Sequence, residues 1–254
     1  MRERIDRTGE TRLNKFGSEM VITVYRNCND IDVCFPEYNW TAEHVSYGQF
    51  KNGRIKCPYE PRVYGVGYVG EGDCKAFENG NHTKVYDIWK HMIRRCYDYK
   101  FQEKCHTYIE CKVCDEWLNF QAFASWYEEN YYEIPGEQMT LDKDILIKGN
   151  KIYSPDTCVF VSQSINKLFT KRDAARGDLP IGVTYNKKSK KYQAQCAANN
   201  KQNHLGFYNT SEEAFNVYKQ VKEAYIKKVA NDYLELIPFN LYQAMINYEV
   251  DIDD

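Results

Sequence analysis

The 254-residue chain has no stretch approaching the roughly 18 consecutive apolar residues that a membrane helix needs. Its start, Met1 to Arg7, carries five charged side chains and no apolar centre of the kind a secretory signal requires. Membrane and secreted classes are therefore not expected, and the Asn-x-Ser/Thr triplets at Asn39, Asn81 and Asn209 have no use as glycosylation acceptors. Glycine (14) and proline (7) are too sparse for a collagen-like or low-complexity chain. A second CxxC pair is also lacking, which removes the repeated-pair signature of a zinc ribbon. Ten cysteines are present, at 28, 34, 57, 74, 96, 105, 111, 114, 158 and 196. Spread along a chain of this length, they read as reduced, buried side chains in a cytoplasm.

Charge is unevenly placed. The net value of −2 averages over segments of different sign, for residues 171–230 carry 12 basic against 5 acidic side chains, and residues 231–254 carry none against 6. A block of net +7 followed by an acidic tail is the electrostatic footprint of a nucleic-acid-binding module.

Patterning divides the chain into an α+β assembly. Residues 1–72 form a small β-rich module, with strands at 20–25 and 31–35 joined by a turn at 27–30. Gly65, Gly67 and Gly70 have the spacing of a dinucleotide fingerprint, but no helical periodicity opens at Gly70, so the stretch reads as a glycine-rich β connection. Residues 82–170 form a second module. Val85, Tyr86, Trp89, Met92, Ile93 and Cys96 mark a helix from Lys84, and Phe120, Phe123, Tyr127 and Tyr131 mark another. Strand, turn, strand and short helix follow over 141–169, with Ser162 as N-cap. In a third module, residues 178–234, three short strands (181–185, 192–196, 204–208) precede a capping box at Thr210 to Glu213 and one long helix. Residues 235–254 read as an acidic tail.

Two groups of residues have metal-ligand chemistry. Asp142 and Asp144 leave one strand together, while Asn166 projects from the helix predicted to pack back on it; hard oxygen ligands of this kind suit Mg2+ or Mn2+. From spacing alone, however, a solvated strand end is the favoured reading of two aspartates flanking a lysine. Cys111 and Cys114 could share a structural zinc, with Cys96, Cys105 or His106 completing the set, although packing is the favoured reading for a single pair.

Leu141-Asp-Lys-Asp144, Gly149-Asn150, Tyr153-Ser-Pro155, Cys158 to Val161 and Asn166 together resemble the ββα-metal core of HNH endonucleases from phages and mobile elements. Trp89, Met92, Arg95 to Tyr97 and Val113 to Trp117 match the same pattern upstream. Gly182, Tyr192, Ala194, His204 to Phe207, Thr210 and Glu212 to Ala214 resemble the APETALA-type DNA-binding domain, over roughly residues 180–230. The resemblance implies that Asp142 and Asn166 bind the metal. The family's base histidine falls on Lys143 and its central asparagine on Thr157, so Lys143, Asp144 and His91 are the candidate catalytic groups, with His82 a further substitute and Lys151 a charge stabiliser. The resembled sheet lies in the major groove of double-stranded DNA, which makes Thr184, Tyr185, Lys187, Lys188, Lys190, Lys191 and Gln195 the candidate contacts.

The expected function is a metal-dependent DNA endonuclease, homing-like, acting in a bacterial cytoplasm if phage-encoded. Its rivals are a DNA-binding regulator that kept the scaffold without cleavage, and an interaction protein that presents the tail Asp251 to Asp254 to a host factor.

Overall fold

The computed structural model describes residues 5–170, 179–198 and 201–252 of the chain. The fold is mixed α+β with several small sheets, and it divides into two compact units: residues 1–129 with 151–154, and residues 130–150 with 155–254. The division falls inside the 82–170 stretch. No helix among the described residues is long and apolar enough to cross a membrane.

The first unit opens with four antiparallel strands in sequence order, β1 (Thr11–Leu13), β2 (Glu19–Asn27), β3 (Asp30–Phe35) and β4 (Trp40–Val45). Strand alternation sends Met20, Ile22, Ile31, Val33 and Phe35 inward, where they are fully buried with Phe50 of α1 (Tyr47–Lys51). A reciprocal cap starts that helix: Ser46 Oγ accepts from Gln49 N at 3.2 Å, and Gln49 Oε1 accepts from Ser46 N at 3.1 Å. The glycine-rich connection pairs with itself, with Gly67 N donating to Val63 O at 2.9 Å, and a side chain at Gly67 would meet the Trp89 ring at 3.0 Å. The chain therefore turns tightly against a tryptophan there, as a β connection does.

A two-residue hairpin, β5 (Phe77–Glu78) and β6 (Asn81–His82), leads into α2 (Lys84–Tyr97), capped by Thr83. The predicted stripe is the buried one: Trp89, Met92 and Ile93 have no exposed surface, and Trp89 Nε1 donates to Trp117 O at 2.7 Å. After α3 (Tyr99–Gln102), a short parallel pairing joins β7 (Lys112–Val113) to β9 (Ile152–Tyr153), and α4 (Phe120–Asn130) buries Phe120 and Phe123.

In the second unit β8 (Met139–Asp142) pairs antiparallel with β10 (Val159–Ser162), Asp142 opposite Val159 and Ser162 opposite Met139. Ser162 Oγ then accepts from Ile165 N at 3.2 Å and starts α5 (Gln163–Phe169), which packs on both strands. The strand expected over 141–145 stops at Asp142 because that carboxylate takes the next backbone donors for itself. Further on, β11 (Val183–Asn186), β12 (Lys191–Ala198) and β13 (Lys201–Tyr208) form an antiparallel sheet in that order against the long α6 (Ser211–Asp232). Gly182 allows the close approach: its φ is +76°, and a side chain there would come within 2.1 Å of the Tyr218 ring.

One helix serves two cores. Ala214, Phe215 and Tyr218, in the first half of α6, pack with Val183, Ala194 and Cys196 of the sheet. Ile226 and Ala230, in its second half, pack with Val159, Val161 and Ile165 of the strand–strand–helix segment. The acidic stretch after residue 235 is more than a tail, because α7 (Phe239–Ile246) buries Leu241 and Met245 completely in that second core. Val250 is buried in the first core and Asp251 pairs with Lys148, so this stretch up to residue 251 is docked rather than extended as a free charged contact; residues 253 and 254 lie outside the described residues.

Candidate functional site

Asp142 ends β8 half-buried, and its Oδ1 accepts from the backbone N–H of Asp144 at 2.9 Å and of Ile145 at 2.8 Å. Those two bonds favour the carboxylate, yet burial first and the Asp144 charge second push Asp142 up to about 6. Lys143 is 7% exposed and its Nζ lies 3.1 Å from Asp144 Oδ2, while the Lys143 carbonyl accepts from Asn150 Nδ2 at 2.7 Å. The local cation thus serves Asp144, and Asp142 sits in excess negative charge. Asn166 lies partly buried on α5, the helix that packs on β8. Asp142, Lys143, Asp144 and Asn166 belong to the second unit; His91 is exposed on α2 of the first.

The cysteine pair gathers no third ligand among the described residues. Cys111 is 2% exposed with its Sγ 3.6 Å from Thr107 O, and burial pushes the Cys114 thiol up.

On the three-stranded sheet, the face turned away from α6 carries a polar row across the strands. Gln202 Nε2 donates to Gln195 Oε1 at 3.3 Å, and Gln195 Nε2 donates to Thr184 Oγ1 at 3.0 Å. His204 lies opposite Gln195, with its ring 4.7 Å from Phe207, and Gln193 lies opposite Phe207 and Thr184. Gln193, Gln202, His204 and Phe207 were absent from the expected contacts; strand alternation through Gln195 and Thr184 is the signal that reaches them. Lys187, Lys188, Lys190 and Lys191 are all exposed on the β11–β12 turn. Asn186 Oδ1 builds that turn by accepting from Lys188 N at 3.0 Å and Ser189 N at 3.1 Å. Tyr185 has a different place. It pairs with Tyr192 and shares the parity of buried Val183, so it stands edge-on to the Tyr192 ring at 5.2 Å instead of joining Thr184 and Gln195.

A further cluster was not anticipated. Asp30, Asp32 and His44 of the first unit bring their ligating atoms within 4.8 Å of one another. Arg26 already occupies it: NH1 and NH2 bind Asp32 at 2.8 and 2.7 Å, and NH1 also binds Asp30 at 3.0 Å. His44, whose backbone is left-handed at φ +55°, adds its N–H to Asp32 at 3.0 Å and its Nδ1 to Asp30 at 2.9 Å. The alternation of acids across the 27–30 turn, with Arg26 just before it, is the sequence signal for this ion-pair hub.

Compared with known proteins, the chain matches no family model, no curated protein and no solved structure.

Proposed function

We propose that the chain is a metal-dependent DNA endonuclease of the HNH-like ββα type, with the three-stranded sheet as its DNA-holding surface. The observation that carries the reading is Asp142, a half-buried carboxylate beside a second one, at the end of a strand whose partner strand leads directly into α5. Crowded negative charge of this kind is relieved by a divalent cation, so the residues fit the group. Asp142 and Asn166 would hold Mg2+ or Mn2+, which when bound polarises a scissile phosphate and stabilises the leaving oxygen. Asp144, next to the site, is the candidate to accept the proton of the attacking water. Lys143 is held as its ion-pair partner at 3.1 Å, a geometry that suits charge stabilisation better than proton abstraction. The turn lysines contact phosphates, and the Gln202–Gln195–Thr184 row offers amide and hydroxyl groups to base edges.

One observation favours a second reading, binding without cleavage: the position of the family's base holds Lys143, which is paired and nearly buried. The test is incubation of supercoiled plasmid and phage genomic DNA with Mg2+ or Mn2+, with chelator, and with Asp142→Ala. Metal-dependent nicking that disappears in the variant supports the nuclease. Salt-sensitive gel retention without nicking supports the second reading, and no retention at low salt sinks both.

A further inference from the structure

Between α5 and α6, the second unit has an open cleft of about 460 Å³. Sites for small ligands commonly have about 300–1,000 Å³. Ser164, Lys167 and Leu168, spaced three and four apart, present one side of α5 to it, whereas Asn166 falls on the other side of that helix. The cleft is therefore separate from the candidate metal face.

Its two ends differ in charge. Glu137 accepts from both Ser164 and Tyr233, which ties the start of α5 to the end of α6, and Asp232 lines the cleft there. Leu168 and Lys222 line both this cleft and a smaller neighbouring one, which ties the end of α5 to the middle of α6. The helices thus run in opposite directions along the cleft. Lys222 and Asp232 are ten residues apart on α6, about 15 Å along its axis, too far to neutralise each other. Lys222 is half-buried beside Cys196, itself 1% exposed, and burial pushes its ammonium down from the ordinary lysine range. Lys167 of α5 lines the same cleft, so two lysines border it, and Tyr225 adds an aromatic wall.

We propose that this cleft binds a nucleotide, its phosphate against Lys222 and Lys167 and its base along Tyr225 toward the hydrogen-bond acceptors at the Asp232 end. A half-buried ammonium gains most from a partner that brings two negative charges and excludes water. The planar wall and the acid at the far end suit a base with exocyclic amino groups better than they suit a bare phosphate. Free nucleotide and a nucleotide within DNA share this chemistry.

The experiment is calorimetric titration of the full chain with dAMP, with inorganic phosphate and with a short DNA duplex, for wild type, Lys167→Ala and Lys222→Met. Saturable dAMP binding, stronger than that of phosphate and weakened about tenfold or more by Lys222→Met, is the expected result for free nucleotide. Loss of duplex affinity in Lys222→Met without dAMP binding assigns the same cleft to a nucleotide within DNA. No dAMP binding, together with duplex affinity unchanged in both variants, overturns the proposal. Should Lys222→Met fail to fold, acetylation footprinting of wild type decides: dAMP or duplex must protect Lys222 while leaving exposed Lys228 reactive, and equal labelling of Lys222 with and without either ligand refutes the site. Because neither Asp142 nor the turn lysines enter these readouts, failure here and failure of the nuclease reading are separable.

Discussion

Asp32 in the first unit and Asp142 in the second are both carboxylates set beside a neighbouring aspartate, yet their proton affinities move in opposite directions. Arg26, bonded to both oxygens of Asp32, holds that group down at about 2, and the His44 N–H assists against the cost of burial. Asp142 receives two backbone donors and no cation of its own among the described residues, and burial and Asp144 push it up to about 6. If charge balance decides, the cluster with more ligating atoms is the poorer place for a divalent ion. A divalent ion at Asp32 would have to displace a bidentate guanidinium, whereas at Asp142 it would relieve an existing excess of negative charge. Charge balance, more than the number of oxygens, separates a structural hub from a candidate metal centre.

The largest effect should come from removing the carboxylate that is not compensated. If the chain cuts DNA, Asp142→Ala is expected to lower metal-dependent plasmid nicking by about a hundredfold or more. Asp30→Asn and His44→Ala, made in the other cluster, should leave nicking within about twofold of wild type. Equal losses in both clusters would erase the distinction drawn here.

Stability against pH sharpens the same contrast, because the two shifts have opposite signs. Asp142 has a raised folded value, so between its ordinary 3.8 and about 6 the folded chain binds more protons than the unfolded one. Wild-type stability contributed by this group is thus full below about 4, falls as pH rises through about 6, and is flat above. Asp142→Asn, which keeps an oxygen for the two N–H groups, removes that loss and should be more stable than wild type at pH 7, by up to about 3 kcal/mol. Urea unfolding at pH 4, 6 and 7 checks it; an Asn variant less stable than wild type at pH 7 would show that Asp142 is not crowded by charge. For Asp32 the folded value is lowered, so its contribution is present above 3.8 and disappears as pH falls through about 2. Arg26→Met should remove this contribution and raise the acid-unfolding midpoint, followed by circular dichroism.

Several of these features were legible in the sequence, and the physical reason is locality. The stripe from Tyr86 to Cys96 repeats with the helical period and is buried as read; the hairpin around 27–30 and the cap at Thr210 are equally local. The neighbouring carboxylates Asp142 and Asp144 could be read from the chain, but the charge state of Asp142 depends on burial that no short window contains. What stayed hidden is long-range. That α6 divides itself between two cores, and that α7 closes one of them within an acidic stretch, follows from pairings between segments far apart in the chain. The face of Tyr185 was not fixed by residue type: with Val183 inward, strand parity places its side chain opposite the face of Thr184. Arg26 escaped notice since an exposed arginine in a strand looks like solvated surface until both aspartates beyond the turn are seen to grip it.

The smallest effect tests the comparison from the other side. Arg26→Met leaves Asp30, Asp32 and His44 close together without their cation, which makes the first cluster resemble the second in charge. If compensation is what distinguishes them, this variant should gain weak Mn2+ binding, in the millimolar range of exposed oxygen sites, that wild type lacks at these residues. Paramagnetic broadening of the His44 ring signals by Mn2+ would report the gain locally, and Asp142→Ala combined with Arg26→Met would remove any contribution from the second unit. Absence of broadening in the double variant would mean that geometry, and not the guanidinium, keeps a metal out of the first cluster, and the electrostatic argument would then have to rest on Asp142 alone.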